Sequence, residues 1–282
     1  KPTIFSFIID KDIEIKEVYA MFMSSQNYVR ASNDLNLNKH TRLNKNYPFS
    51  NDSIQKPIIW QGDIYIDEVI VLDSPVTILP GTSIYLGPKA SIVFKNQVQS
   101  IGKKNSKINF LRSHENPWGV VALVGQETKG SIFEHTNLSG GSGGSYSGYE
   151  FTGMFSIYLS KEIKLSHMNI SNNSKYDDLI HILYSTGVKL SNSNIFDARS
   201  DAIDIDISKA EINDSSFYNS GNDAIDAMTS TVIVSNTYID NAGDKAISAG
   251  EGSEVFVSNL IFDNNEIAIQ SKDGANVTVQ NS

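Results

Sequence analysis

The sequence predicts an all-β protein whose main part is a parallel β-helix, a solenoid of stacked coils, preceded by a small N-terminal β-rich cap. Between residues 190 and 282 an aliphatic residue followed two places later by Asn or Asp recurs at steps of 22 or 23 residues. A repeat of this length is typical of solenoids, and the LxxLxL pattern of leucine-rich repeats is missing. Short β-branched segments alternate with Asn, Asp, Ser and Gly, as strands alternate with turns. Each coil is therefore expected to pair with the next at about 4.8 Å.

Rows of equivalent residues indicate what each coil contributes. One apolar row is preceded in each coil by alanine and consists of Ile203, Ile225, Ile247 and Ile269. A second apolar row consists of Ile195, Phe217, Ile239 and Phe262. Two amide rows consist of Asn192, Asn236, Asn259 and Asn281, and of Asn172, Asn219, Asn241 and Asn264. The apolar rows predict a dry interior, and the amide rows predict hydrogen-bonded ladders at the bends.

Composition limits the possible partners and the environment. The chain has 282 residues, a net charge of −9, a pI near 5.0 and no cysteine. An acidic chain is a poor partner for nucleic acid, and the lack of cysteine excludes disulfides and thiol chemistry. No apolar run is long enough to span a membrane. Because the chain starts at Lys1 without Met and stops inside a repeat, we expect it to be part of a longer protein with other domains.

Along the chain, residues 1–57 do not fit the repeat. Two apolar segments at 4–9 and 13–22 predict a pair of strands that forms either a β-rich cap or the end of a preceding domain. The β-helix is predicted for residues 58–282, with apolar strands separated by turns such as Pro80-Gly81-Thr82. The glycine-rich segment at residues 139–148 has almost no side chains that can pack, which predicts a mobile excursion from the solenoid.

Acidic residues next to the isoleucine row form the candidate site. Stacking is expected to place one file at a turn, made of Asp178, Asp201, Asp223 and Lys245. A second file should lie on the outward side of the strands, made of His181, Asp204, Asp226, Ser248 and Gln270, with Asp206 on the same face. Carboxylates about 4.8 Å apart repel one another unless Lys245, raised pKa values or a bound cation offsets the repulsion. Each aspartate alone is also compatible with a turn former or surface charge, but together they predict a functional site.

The region from about residue 58 to 282 resembles the right-handed parallel β-helix superfamily that contains pectate lyases and polygalacturonases. Residues 200–205, 221–225 and 245–248 are similar to the polygalacturonase series NTDGxD, GDDxI and GHGxS. The resemblance implies that Asp201 and Asp223 match two water-activating acids, whereas Asn222 replaces the proton-donating acid and Lys245 replaces the histidine. An amide cannot protonate a leaving oxygen, which argues against inverting hydrolysis. A looser resemblance, to β-helix modules that accompany spore-coat-H-like kinases, involves residues 243–245 and 250–253.

The expected function is that of an extracellular or bacterial surface β-helix that binds an acidic polysaccharide; if it is an enzyme, a Ca²⁺-assisted lyase is favoured over a hydrolase. Asp201, Asp223 and Lys245 are the predicted catalytic residues, with Lys245 taking the proton alpha to the uronate carboxylate. The predicted substrate-binding residues are Asp204, Asp226, His181 and Lys272. The predicted calcium ligands are Asp201, Asp204, Asp223 and Asp226. The alternative is a non-catalytic structural or adhesive stalk.

Overall fold

The computed structural model describes residues 19–21, 28–30 and 56–282, and the chain divides into two units, Lys1–Ile54 and Gln55–Ser282. In the first unit, strands β1 (Tyr19–Met21) and β2 (Tyr28–Arg30) pair in antiparallel fashion. The predicted strand at residues 4–9 lies outside the described residues. The assignment of residues 1–57 to a cap or a preceding domain stays a prediction.

Within residues 56–282 the chain winds through three parallel sheets, and each coil contributes one strand to each sheet in turn. Sheet 1 contains β3 (Ile58–Trp60), β6 (Val76–Ile78), β9 (Val98–Ile101), β12 (Ile132–Glu134), β17 (Lys164–Ser166), β20 (Thr186–Ser191), β23 (Lys209–Asn213), β26 (Thr231–Ser235), β29 (Glu254–Ser258) and β32 (Asn276–Gln280). Sheet 2 contains β4 (Asp63–Ile66), β7 (Ser83–Leu86), β10 (Ile108–Arg112), β13 (Thr136–Ser139), β18 (Asn169–Ser171), β21 (Asn194–Ala198), β24 (Ser216–Ser220), β27 (Tyr238–Ala242) and β30 (Ile261–Asp263). Sheet 3 contains β5 (Val69–Leu72), β8 (Ser91–Phe94), β11 (Val121–Val124), β16 (Gly153–Tyr158), β19 (Asp178–Leu183), β22 (Ile203–Asp206), β25 (Ile225–Met228), β28 (Lys245–Gly250) and β31 (Ile267–Ser271). A 3-10 turn (Gln126–Thr128) and a hairpin of β14 (Gly144–Tyr146) and β15 (Tyr149–Phe151) interrupt the coils.

The interior is built from the apolar rows that the repeat predicts. Ile225 pairs in register with Ile203 on one neighbouring strand and with Ile247 on the other. Phe217 pairs in the same way with Ile195 and Ile239, and all of these side chains are buried. The prediction of an all-β parallel β-helix is confirmed. Because side chains alternate across a strand, the residue after each isoleucine of sheet 3 points outward.

The bends between sheets use residues that tolerate a left-handed backbone. Asn219 and Asn241 have φ values of 55° and 58°, and the Asn241 side-chain amide donates to Asn219 Oδ1 at 2.9 Å. In the other predicted row, Asn259 donates to Asn236 Oδ1 at 3.1 Å. Each predicted row therefore contains one amide–amide hydrogen bond and not a continuous ladder, and Asn264 donates to an aspartate of the preceding coil instead of Asn241.

A row of buried serines stabilises the bend from sheet 3 to sheet 1. The backbone N–H of Ser185 donates to Ser208 Oγ at 2.9 Å, and the N–H of Ser208 donates to Ser230 Oγ at 2.9 Å. Ser253 continues the row by accepting from the Ser230 N–H at 3.0 Å. Each serine thus satisfies a buried backbone donor of the preceding coil.

The prediction that the glycine-rich segment cannot pack is wrong. Gly141 is buried against Trp118, and a Cβ atom at this glycine would lie 2.6 Å from the indole ring. The β14–β15 hairpin that follows places buried Phe151 on the outer face of sheet 3, against Tyr158 at a ring-centroid distance of 5.0 Å. Glycine packs here because its missing side chain permits close approach, and the anchoring aromatic residue lies just beyond the segment.

Candidate functional site

The predicted turn file forms at the entrance to sheet 3. Asp201 Oδ1 accepts the backbone N–H of Asp223 at 2.8 Å and the side-chain amide of Asn222 at 2.8 Å. One coil further, Asp223 Oδ1 accepts the backbone N–H of Lys245 at 2.9 Å. Each carboxyl group therefore satisfies a backbone donor of the next coil at the bend, which gives both aspartates a structural role.

Lys245 at the end of this file is held in ion pairs. Its Nζ atom lies 3.5 Å from Asp223 Oδ1 and also contacts the Asp244 carboxylate, and the residue is 8% exposed. Burial alone would lower the pKa of Lys245, but the hydrogen bond to Asp244 and the charge of Asp223 raise it above the ordinary lysine value. A protonated amine cannot accept a proton, so this pairing favours a structural role for Lys245 over the predicted catalytic one.

The second predicted file lies on the outer face of sheet 3. His181 pairs in register with Asp204, and Asp204 pairs with Asp226. Ser248 and Gln270 continue the row on β28 and β31. The sequence therefore predicts the order of this row correctly.

His181 lies close to two aspartates of the following coil. Its Nε2 atom lies 3.2 Å from Asp206 Oδ2 and 3.8 Å from Asp204 Oδ2. The side chain of His181 is 8% exposed, that of Asp206 is 14% exposed and that of Asp204 is 21% exposed. We call His181, Asp178, Asp204 and Asp206 the His181 cluster.

Residues next to the hairpin cover one side of the His181 ring. Its Nδ1 atom lies 2.8 Å from the Tyr158 hydroxyl and 2.6 Å from Thr152 Oγ1. The Tyr158 hydroxyl also donates to the Glu150 carbonyl oxygen at 3.0 Å, and either Tyr158 or Thr152 can be the partner of Nδ1. Nε2 faces the two aspartates and lies within hydrogen-bond distance of Asp206 Oδ2.

Burial raises the pKa of several of these acids. It raises the pKa of Asp204 from an ordinary value of 3.8 to about 9, with further contributions from the charges of Asp206 and Asp178. Burial also raises the pKa of Asp178 to about 7 and that of Asp201 to about 6. At neutral pH Asp204 is therefore a protonated acid 3.8 Å from an imidazole nitrogen, and acid–base chemistry can use such a pair.

The predicted substrate-binding residues are not all close together. Asp226 is half-buried next to Asp204, whereas exposed Lys272 passes over Gly250 on the outer side of sheet 3. Lys272 lies four coils beyond His181, or about 19 Å along the axis at the usual strand spacing. It belongs to the same face but not to the same cluster.

Sequence reasoning missed the two hydroxyl groups that contact His181. Tyr158 occupies the last position of β16, and Thr152 lies between β15 and β16. The repeat does not reveal them, because both depend on the path of the hairpin. A partial signal is that residues 155–158 resume the strand pattern one coil before His181.

The predicted calcium ligands do not converge as a set of four. On this face, in the part of the chain that the structure describes, the ligand atoms of Asp178, His181 and Asp204 lie within 4.8 Å of one another, and the predicted four form no such group. Asp201 and Asp223 already accept backbone N–H groups. Ca²⁺ prefers six to eight oxygen ligands, so the predicted set fits it poorly, and calcium binding stays a proposal.

Residues 178–282 match a family model described as a right handed beta helix region. This match covers less than half of the chain and agrees with the three parallel sheets, which show the parallel β-helix fold that the resemblance implied. No curated protein matches the chain in sequence. Within the described residues, no helix is long and apolar enough to cross a membrane.

Solved structures with a similar chain path share little sequence with this protein. The Agl-KA catalytic domain is 12% identical with a TM-score of 0.31, over 79% of this chain and 62% of that chain. The enzymatically active domain of bacteriophage CBA120 tailspike protein 2 is 12% identical with a TM-score of 0.31, over 80% and 39% of the two chains. Pantoea stewartii WceF, described as a glycan biofilm modifying enzyme with a tailspike-like parallel β-helix, is 12% identical with a TM-score of 0.28, over 74% and 33%. The chain spans less than two thirds of each of these proteins, and such low scores give no basis for carrying over an activity.

Proposed function

We propose that the chain is a secreted or bacterial surface protein that binds an acidic polysaccharide along the outer face of sheet 3, and that the His181 cluster transfers the protons needed to cleave it. The observation that supports this most strongly is the contact of His181 Nε2 with two aspartates on a partly exposed face. Buried carboxyl groups that converge on an imidazole are costly for folding, and such groups are frequent at sites of proton transfer.

Elimination is the cleavage that the arrangement favours. In this reaction a base removes the proton alpha to a uronate carboxylate, and an acid protonates the leaving glycosidic oxygen. His181 Nε2 would be the base and Asp204 the acid, so one proton is taken from the sugar and one is returned. Hydrolysis would instead pair Asp204 with Asp226 on the adjacent coil, because the usual strand spacing of about 4.8 Å is close to the carboxyl separation of about 5–5.5 Å in retaining glycosidases.

An acidic polymer must approach a face that carries several carboxyl groups. Because the pKa of Asp204 is raised to about 9 and that of Asp178 to about 7, the face is less negative at neutral pH than its composition implies. A Ca²⁺ ion between carboxylates of protein and polymer would reduce the repulsion further. We keep calcium as part of the proposal and assign it no step in the reaction.

The test is a cleavage assay of pectate, alginate and glycosaminoglycans, with and without Ca²⁺. New absorbance at 235 nm reports elimination, and new reducing ends without that absorbance report hydrolysis. His181→Asn and Asp204→Asn should each abolish cleavage, whereas Asp73→Asn, which removes an exposed carboxylate at the first turn after β5, should not. Equal activity of all four proteins would contradict the assignment of the cluster.

Calcium binding is tested separately, by thermal melting. Millimolar Ca²⁺ should raise the melting temperature by mass action if a site exists. The double variant Asp201→Asn, Asp223→Asn should lose this rise if the predicted ligands hold the ion, and Asp204→Asn alone should lose it if the ion lies at the His181 cluster. Absence of any response in the wild type would remove calcium from the proposal.

A non-catalytic stalk is the second candidate, and a specific observation favours it. Asp201, Asp223 and Lys245 are all engaged in hydrogen bonds or ion pairs that stabilise adjacent coils. If no polymer is cleaved but binding is detected, the chain is an adhesive module. If neither is detected, the acids serve the fold alone.

A further inference from the structure

The bend between sheet 1 and sheet 2 changes its residue type on two consecutive coils. The later coils place Asn192, Asn236 and Asn259 there, with φ values of 51°, 49° and 54°. The fourth and fifth coils place His135 and His167 at the same point, with φ values of 46° and 53°. Histidine tolerates this left-handed conformation better than most residues. The bend is therefore preserved, but two imidazoles replace the usual amides.

The two imidazoles converge with a carboxylate. The rings of His135 and His167 have centroids 4.4 Å apart and planes inclined by 37°. Glu134 precedes His135 at the end of β12, and one ligand atom from each of the three residues lies within 4.8 Å of the other two. No protein group within residues 56–282 hydrogen-bonds either imidazole. The ring nitrogens are therefore open to an external ligand.

We propose that Glu134, His135 and His167 form a zinc-binding site that links the fourth and fifth coils. Two imidazoles and one carboxylate are a frequent protein ligand set of zinc with an open fourth position. Ligand atoms at zinc bond lengths in a tetrahedron are about 3.3 Å apart, so the three groups must approach by no more than roughly 1.5 Å. Because Glu134 and His135 are half-buried and His167 is exposed, side-chain rotation alone can close this gap.

The surroundings set the expected strength and the fourth ligand. Lys104 and Lys107 line the same cavity of about 420 Å³ as the two histidines. Their charge weakens the binding of a bare cation and attracts an anion or hydroxide to the open position. Within residues 56–282 the imidazoles have no hydrogen-bond acceptor that would orient them, so the affinity should be modest. The bend between sheet 1 and sheet 2 is separate from the outer face of sheet 3, so the zinc site does not depend on the proposed function.

The experiment is titration calorimetry of the untagged chain with zinc chloride. His167→Asn introduces the residue that later coils carry at this bend, so the variant should fold, and circular dichroism checks that it does. It should bind one zinc equivalent fewer than the wild type, and Glu134→Gln should weaken the same event by at least ~10-fold. His114→Asn, an exposed histidine outside the group, is the control that should bind as the wild type does, and His181→Asn should keep the binding event that His167→Asn removes.

Binding to the wild type should also raise the melting temperature, because the ion joins two coils. The proposal is overturned if the wild type binds no zinc, if His167→Asn and Glu134→Gln bind as the wild type does, or if His181→Asn removes the event instead. Cobalt substitution gives an independent readout, since a tetrahedral site produces visible d–d bands. Those bands should appear in the wild type and be absent from His167→Asn.

Discussion

Replacing Asp204 by Asn should flatten the pH dependence of stability. The pKa of Asp204 is about 9 in the folded chain, whereas the ordinary value is 3.8. Between these two pKa values the folded state holds a proton that the unfolded state has lost, so the free energy of unfolding falls as the pH rises. The stabilisation that this proton gives is lost once the pH exceeds the folded pKa. One such proton changes the free energy of unfolding by about 1.4 kcal/mol per pH unit. The loss from pH 5 to pH 8 is therefore at most about 4 kcal/mol.

Asparagine cannot ionise, so the variant should lose most of this slope and exceed the wild type in stability at pH 8. The measurement is urea unfolding, followed by circular dichroism at pH 5, 6.5 and 8. Asp178 has the same sign of effect up to about pH 7 and is present in both proteins, so the difference between them reports Asp204 together with its effect on the Asp178 charge. Asp73→Asn is the control and should follow the wild type. Parallel curves for wild type and Asp204→Asn would refute the buried, protonated state of this acid.

Lys245→Met should destabilise the fold by about 3 kcal/mol, because it leaves the carboxylate of buried Asp223 without its cation. Lys189→Met, which breaks an exposed ion pair, should change the free energy of unfolding by less than ~0.5 kcal/mol in the same urea experiment. Gly141→Ala should cost about 1–3 kcal/mol through its clash with a buried ring, whereas Gly144→Ala, with no neighbour closer than 3.9 Å, should be nearly neutral in thermal melts. If Lys189→Met costs as much as Lys245→Met, or if both glycine variants behave alike, these packing arguments fail.

The fold could be predicted because the solenoid repeats its chemistry. Ile203, Ile225 and Ile247 recur at the coil period, and register then fixes the outward row of His181, Asp204 and Asp226. The buried serine row could have been found in the same way, since its members also recur at steps of 22 or 23 residues. The observed order of the rows follows directly from that period.

The rest could not be predicted because it lies outside the repeat. The glycine-rich segment has little apolar content, yet Gly141 packs closely against Trp118. The hairpin that follows brings Thr152 to His181, and no periodic pattern encodes that contact. The ion pairs of Lys245 could not be predicted either. The polygalacturonase-like motif indicates a catalytic role for Lys245 and gives no sign that it pairs with its sequence neighbour Asp244.

The most direct test of the central proposal is a crystal structure of the His181→Asn variant with a pectate or alginate oligosaccharide. The variant should bind without cleaving, and a sugar oxygen should lie within hydrogen-bond distance of the Asp204 carboxyl group on the outer face of sheet 3. A sugar bound elsewhere, for example on exposed Tyr65, which stacks on Tyr85 of sheet 2, with the His181 cluster left free of it, would contradict the proposal.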